Sequence, residues 1–245
     1  MSAAVGVVLA AGMGTRVGAD GNKAYLPLAG RSMVSWSVAA VAAAPSIDRT
    51  VLVFRRGERD VAERTIAEEL PGTAVEFVEG GDSRHGSESN ALRYLSGDIE
   101  AGAVDVVAVH DAARPLAGAD LVDAAVTVAR RHGGAVPALA APDVLRVDPS
   151  GTAEYLAPQL PDGAGVVRVQ TPQAFRALPL LQAYRAAERT GFEGTDTSSC
   201  VERFTELDIR TFPGAEHNLK VTFPADLDIA DRLLRARVRS VPRGR

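Results

Sequence analysis

Cysteine occurs once, at Cys200, among 245 residues. A lone thiol can form no intrachain disulfide and no cysteine zinc site, so the fold must rest on its core. Neither sign of charge is in large excess, with 27 basic against 31 acidic side chains. That balance excludes a chain that binds nucleic acid or an anionic membrane over its whole surface. No apolar run approaches the ~18 residues that span a bilayer. The opening "MSAAVGVVLAAG" lacks a basic leader and breaks at glycine after a strand's length, so it reads as a first strand and not a signal peptide. The expected compartment is cytoplasm. No internal repeat or low-complexity segment is present. The arginine-rich "RARVRSVPRGR" at 235–245 reads as a solvated, frayed end.

What is present is alternation. Apolar runs of strand length at 5–10, 49–54, 73–80 and 104–111 are followed by stretches of helical period at 33–44, 58–70, 84–96 and 119–132. Strands apolar on both faces, alternating with helices, predict an α/β fold: a Rossmann-like, doubly wound, mostly parallel sheet with helices on both faces. One domain over 1–245 is expected. Between about 140 and 165 the pattern weakens into β-like pairs and turn residues, which predicts a hairpin-like arm projecting from the sheet, suited to dimerisation. Regularity returns at 166–175, a helix near 177–189, a strand at 207–214 and a last helix from Pro224. Proline in that first turn, acids early and arginines late all favour a helix start there.

Ligands on such sheets bind beyond the carboxyl ends of the strands, which singles out 11–23, 80–87 and 111–115. The first segment carries glycines 12, 14 and 18. A dinucleotide fingerprint would need glycine at position 17, which is Val17, and no G-K-[ST] of a P-loop occurs. What remains is a glycine-rich turn whose bare amides can approach an anion or a base edge. Arg16 supplies a planar fork and Lys23 a point charge for phosphate oxygens. The alternative is a loop with two solvated cations.

The stretch "LAAGMGTRVGADGNKAYLPLAGRSM" resembles the signature of sugar-phosphate nucleotidyltransferases. Together with "GGDSRHGS" (80–87), "VHDAARP" (109–115), "TPQAF" (171–175), "TD" (195–196) and "NLKVTFPADL" (218–227), it resembles the methylerythritol-phosphate cytidylyltransferases. The resemblance implies a nucleotide-diphospho-sugar transferase-like fold, a homodimer formed through the arm, and transfer of CMP from CTP to 2-C-methyl-D-erythritol 4-phosphate. It implies no nucleic-acid or membrane partner. By position, Ala10, Ala11, Gly12, Gly14 and Ala112 line the nucleotide pocket, with Gly80, Gly81, Asp82 and Ser87 on the base and ribose side. Arg16 and Lys23 match triphosphate-binding cations, and Asp111 matches a magnesium-binding aspartate. Arg114, Thr195 and Lys220 match positions near the acceptor or the α-phosphate, Lys220 also counting with the catalytic cations. Outside that frame Asp111 reads as a helix cap. His85 and His110 read as packing or capping residues, and Cys200 as a small core residue of a helix.

Three positions depart from the family pattern: His217, before Asn218, where the family often has an acid, and two on the acceptor side. Val144 stands where a threonine follows an aspartate, and Gly163 where an arginine holds the acceptor's phosphate across the dimer interface. Arg146 and Arg168 are nearby substitutes. These departures leave open another polyol phosphate, such as ribitol 5-phosphate, as the acceptor. A catalytically silent nucleotide-binding protein is the alternative outside the enzymes.

Overall fold

The computed structural model describes residues 2–12, 21–141, 143–155 and 165–240. The predicted roles of Arg16, Gly14 and Gly163 lie outside the described residues. In chain order the elements are β1 (Ala3–Leu9), a short hairpin of β2 (Pro27–Leu28) and β3 (Arg31–Ser32), α1 (Met33–Ala42), β4 (Arg49–Phe54), α2 (Arg59–Glu69) and β5 (Glu76–Glu79). Then follow α3 (Arg84–Glu100), β6 (Val104–Asp111), α4 (Ala119–His132) and β7 (Gly133–Ala140). The second half adds β8 (Leu145–Val147), β9 (Ala153–Tyr155), β10 (Val167–Val169), β11 (Gln173–Arg176), α5 (Ala177–Thr190), α6 (Thr197–Phe204), β12 (Asp208–Pro213) and α7 (Pro224–Ser240).

β5, β4, β1 and β6 lie side by side in parallel, as the alternating pattern predicts. Beyond β6 the sheet turns mixed: β11 runs antiparallel to both β6 and β7, whereas β12 runs parallel to β7. The apolar strands feed two layers. Val5 and Val7 of β1 and Val51 and Val53 of β4 pack with Leu92, Leu95, Leu180 and Tyr184 of α3 and α5. Their alternate neighbours Val8, Leu52 and Phe54 pack with Val34, Val38 and Val41 of α1 and Ile66 of α2. Each such side chain removed from water contributes about 1.5–3 kcal/mol. Gly6 is needed between them, because a Cβ there would lie 2.2 Å from Val41 Cγ1.

Three elements depart from the sequence expectation. β7 is a strand that the sequence pattern does not predict: it is alanine-rich, contains Pro137, and follows α4 without a loop. Proline ordinarily demotes a strand. The junction is made by Gly133 at φ +115°, where a side chain would also meet Leu207 at 2.8 Å. The run at 166–175 is two short strands separated by the cis Thr171–Pro172 peptide. The third strand is shorter than 73–80, beginning at Glu76. Within 140–165, β8 and β9 pair antiparallel, Leu145 with Tyr155 and Arg146 with Glu154. Among the described residues no helix is long and apolar enough to cross a membrane.

Candidate active site

The carboxyl ends of β1, β5 and β6 open onto one cleft of about 310 Å³. Its floor is backbone. Ala10 N donates to Val53 O at 2.8 Å, Gly80 N to Phe54 O at 2.8 Å, and Ala112 N to Leu9 O at 3.0 Å, so the three strand ends are tied in register. Ala10, Ala11, Gly12, Gly81, Asp82, Ser87 and Ala112 all line the cleft. Gly80 is buried just behind it. A Cβ on Gly80 would lie 2.5 Å from Ala11 Cβ, and one on Gly81 would lie 2.7 Å from the Gly86 carbonyl carbon. These two glycines let β5 turn into α3 against the glycine loop. Among the described residues nothing lies within 4 Å of a would-be Cβ on Gly12. Asp82 is at the mouth, its side chain 93% exposed and 3.5 Å from Arg56.

The start of α3 is capped by Ser83, whose Oγ accepts from Gly86 N at 3.0 Å. Ser87 Oγ donates to Ser83 O at 2.9 Å and accepts from Gly81 N at 3.2 Å, which fixes the 80–87 turn. On the opposite wall Asn22 caps the 3-10 turn Lys23–Tyr25 and donates to Ala10 O at 2.7 Å. It thereby carries Lys23 to the cleft, where Lys23 Nζ reaches Val221 O at 2.9 Å.

Asp111, the last residue of β6, is the charged centre. It is buried and caps no helix, since α4 begins eight residues later behind Gly118. Its Oδ2 pairs with Lys220 Nζ at 2.7 Å, and its Oδ1 faces Arg84 Nη2 at 3.3 Å. Burial raises its carboxyl, but Arg84 and Lys220 outweigh that and hold it well below the usual carboxylate range. It is ionised at neutral pH. Arg84 also pairs with the buried Glu88 at 2.7 Å. Burial pushes Glu88 upward, opposed by Arg84 and by hydroxyl donors from Thr197 and Tyr184.

The stretch 170–173, which overlaps the start of "TPQAF", is a fastening. Gln170 Nε2 donates to Ala215 O at 2.9 Å, and its Oε1 accepts from Ala215 N at 3.1 Å. Thr171 Oγ1 accepts from Asp111 N at 3.0 Å, and Thr171 O accepts from Asn218 Nδ2 at 2.9 Å. Gln173 Nε2 donates to Asp196 Oδ2 at 2.8 Å, and Gln173 Oε1 accepts from Ser198 N at 3.1 Å. One four-residue stretch thus positions Asp111, the segment bearing Lys220, and the start of α6.

The remaining predicted residues are placed as follows. Arg114 does not line the cleft; its guanidinium donates to Asn218 O at 2.8 Å, which supports the turn before Lys220. Thr195 is exposed beside Asp196, the N-cap of α6, and also lies off the cleft lining. His110 is fully buried, its Nδ1 3.1 Å from Thr171 Oγ1, and burial lowers its pKa to about 4, so it is neutral and structural. His85 stacks on Tyr184 at 4.6 Å, and Cys200 is buried in α6. Arg168 pairs with Asp143 at 2.5 Å in the open.

Sequence reasoning gave no role to Arg84, Glu88, Asn22 or the glutamines of the 170–173 stretch. Arg84 carried a usable signal, being the first helical residue after a strand end and inside the quoted "GGDSRHGS". Glu88 carried none beyond a charge on an otherwise apolar helix face. Among the described residues no three His, Cys, Asp or Glu side chains converge on a metal position. One ionised carboxylate in a cleft lined by amides and cations nevertheless suits a hard divalent ion that takes its other ligands from phosphate and water.

With this geometry in view, the relatives are informative. The family model described as IspD, 2-C-methyl-D-erythritol 4-phosphate cytidylyltransferase, matches residues 4–236. The curated protein of that name from Solibacter usitatus is 35% identical over 94% of this chain and 96% of its own length. Its counterpart from Cereibacter sphaeroides is 39% identical over 93% of this chain and 95% of its own length. Among solved structures, 4-diphosphocytidyl-2C-methyl-D-erythritol synthase from Anaerococcus prevotii superposes with a TM-score of 0.79 at 25% identity, covering 95% of this chain and 96% of that one. The 2-C-methyl-D-erythritol 4-phosphate cytidylyltransferase from Thermus thermophilus gives 0.69 at 29% identity, covering 96% and 100%. The chain therefore belongs to the 2-C-methyl-D-erythritol 4-phosphate cytidylyltransferase family, and it is a nucleotidyltransferase.

Proposed function

We propose that this enzyme transfers CMP from CTP to 2-C-methyl-D-erythritol 4-phosphate, releasing pyrophosphate and forming 4-diphosphocytidyl-2-C-methyl-D-erythritol for isoprenoid precursor synthesis. The observation that carries the reading is the meeting of Lys23, Arg84, Asp111 and Lys220 at one glycine-lined cleft, in a chain of this family. The acceptor is a phosphate monoester, mostly dianionic at pH 7 because its second pKa is near ~6. It needs no general base. An oxygen of that phosphate attacks the α-phosphorus in line. A new P–O–P bond forms, the bond from the α-phosphorus to the α,β-bridging oxygen breaks, and pyrophosphate departs with that electron pair.

The difficulty is repulsion between two polyanions, and the side chains present address it. Lys23 and Arg16 would neutralise the triphosphate, and Lys220 the charge developing at the α-phosphorus. Asp111, with the nucleotide's phosphate oxygens, would hold a divalent cation, which we assign as Mg2+. When bound, the cation supplies charge neutralisation and polarises the α-phosphoryl group. Gly80, Gly81, Asp82 and Ser87 would face the base and ribose, where fixed amides select cytosine by leaving a wrong base unpaired. Arg114 and Thr195 serve the acceptor side, Arg114 by setting the turn that carries Lys220. The arm at 140–165 is the proposed dimer contact of a single-domain, cytoplasmic enzyme, an assignment that draws on the β8–β9 pairing outside the main sheet and on the lone buried thiol.

The test is pyrophosphate release with CTP and Mg2+ over an acceptor panel. Methylerythritol phosphate should give the highest kcat/KM. A higher value with ribitol 5-phosphate overturns the acceptor, and no release with any acceptor restores the silent nucleotide-binding alternative. The names of the relatives do not favour ribitol 5-phosphate.

A further inference from the structure

Glu88 is a carboxylate buried in the wall behind the cleft, its side chain 1% exposed and off the cleft lining. A charged group so placed is costly unless it is fully paired. It has three partners on three elements: Arg84 Nη1 one turn earlier on α3 at 2.7 Å, Tyr184 Oη on α5 at 2.6 Å, and Thr197 Oγ1 in the first turn of α6. The same guanidinium faces Asp111 Oδ1 at the longer distances of 3.3 and 3.4 Å. Of the two carboxylates competing for Arg84, the buried one holds it more tightly. Arg84 is therefore kept from closing into a short bidentate pair with Asp111, the arrangement that guanidinium and carboxylate prefer when nothing else claims the fork.

We propose that Glu88 is a positioning residue for cytidylyl transfer, holding Arg84 back so that Asp111 keeps an oxygen for the divalent cation. Through Thr197 it also ties this adjustment to α6, whose N-terminal turn begins beside Thr195. The inference rests on the activity proposed above.

Glu88→Gln keeps the shape and the acceptor for the two hydroxyls but removes the charge that holds Arg84. With Mg2+, the gain in CTP affinity over the metal-free protein, measured calorimetrically without acceptor, should shrink five- to tenfold. Metal-free CTP affinity should stay within twofold. The Mg2+ concentration for half-maximal pyrophosphate release should rise by a similar factor. A purely structural lesion would instead lower the active fraction and the Tm without moving the Mg2+ dependence per active molecule. In an Arg84→Met background the same substitution should add less than twofold, because Glu88 acts through that arginine. An unchanged Mg2+ dependence, or an equal shift in both backgrounds, overturns the proposal. If Glu88→Gln does not fold, Tyr184→Phe with Thr197→Val removes the supports and leaves the charge. That pair should shift the Mg2+ requirement two- to threefold, and no shift overturns the proposal equally. Failure of wild-type turnover would count against the assigned reaction alone, since the binding measurement still reads Glu88.

Discussion

Arg84 and Arg168 each face an aspartate, one at the sheet edge and one beside the arm. Arg84 is 25% exposed, its partner Asp111 is 11% exposed, and Glu88 and Lys220 complete a four-charge chain. Arg168 and Asp143 are 59% and 64% exposed, with no other charged partner between them among the described residues. At the sheet edge low dielectric strengthens every interaction and each charge depends on its neighbours; beside the arm water screens the pair. The lesson is that the cleft around Asp111 is preorganised by burial, whereas the Arg168–Asp143 pair, open to water, lends little order to its surroundings.

The comparison breaks most decisively at Asp111. Asp111→Asn should lower kcat per folded molecule by about 100- to 1,000-fold in pyrophosphate release at saturating CTP and Mg2+, and should also lower the ligand-free Tm, because Arg84 and Lys220 lose the charge they face. A large Tm loss with activity per folded molecule intact would make Asp111 structural. Two glycines sharpen the contrast within the cleft. Gly12→Ala and Gly81→Ala should both raise the CTP KM about tenfold. Only Gly81→Ala should also lower the Tm, by about 2–10 °C, because its Cβ meets backbone whereas that of Gly12 meets none of the described residues. Equal Tm values for both would refute the packing argument.

A smaller effect is expected where α6 starts. Asp196 accepts from Ser199 N at 2.9 Å, and Asp196→Ala should cost about 0.5–2 kcal/mol, or about 1–8 °C in Tm. Burial raises this carboxyl, but Gln173 and the helix-start donors outweigh it and hold it below its ordinary value. A depressed carboxyl stabilises above the unfolded pKa of about 3.9 and loses that contribution as pH falls below it. The Tm gap between wild type and Asp196→Ala should therefore be constant above about pH 5 and shrink toward pH 3. A gap that widens on acidification would reverse the assignment. Smallest of all is Arg168→Ala, expected to leave the Tm within about 1 °C and the acceptor KM within about threefold. A tenfold rise in acceptor KM would show that Arg168 takes over the contact absent at Gly163.

The sequence displayed the parallel half of the fold because β1, β4 and β6 are apolar on both faces and are separated by helical period. It hid β7, since alanines, a proline and an abrupt glycine junction carry no strand pattern, although three strands pair with it. The cleft was legible where glycines and charged residues follow strand ends, as with Gly12, Gly81, Lys23 and Asp111, all of which line it. Glu88 and Gln173 were not, because a buried polar side chain looks in sequence like any solvated one until its partners, 109 and 23 residues away, are brought to it. The contact of Arg114 with Asn218 O, 104 residues away, was equally hidden.

The contact of Lys23 with Val221 spans 198 residues, and that of Ala29 with Asp231 spans 202. On a ribosome adding about 5–20 residues per second, the glycine loop therefore waits about ten seconds or more for its opposite wall. During that interval the early strands can pair among themselves, since β1, β4 and β5 are neighbours in both sequence and sheet. Lys220 cannot yet meet Asp111. The nascent chain is thus a scaffold before it is a catalyst, and competence arrives in one late step when the segment at 218–223 docks.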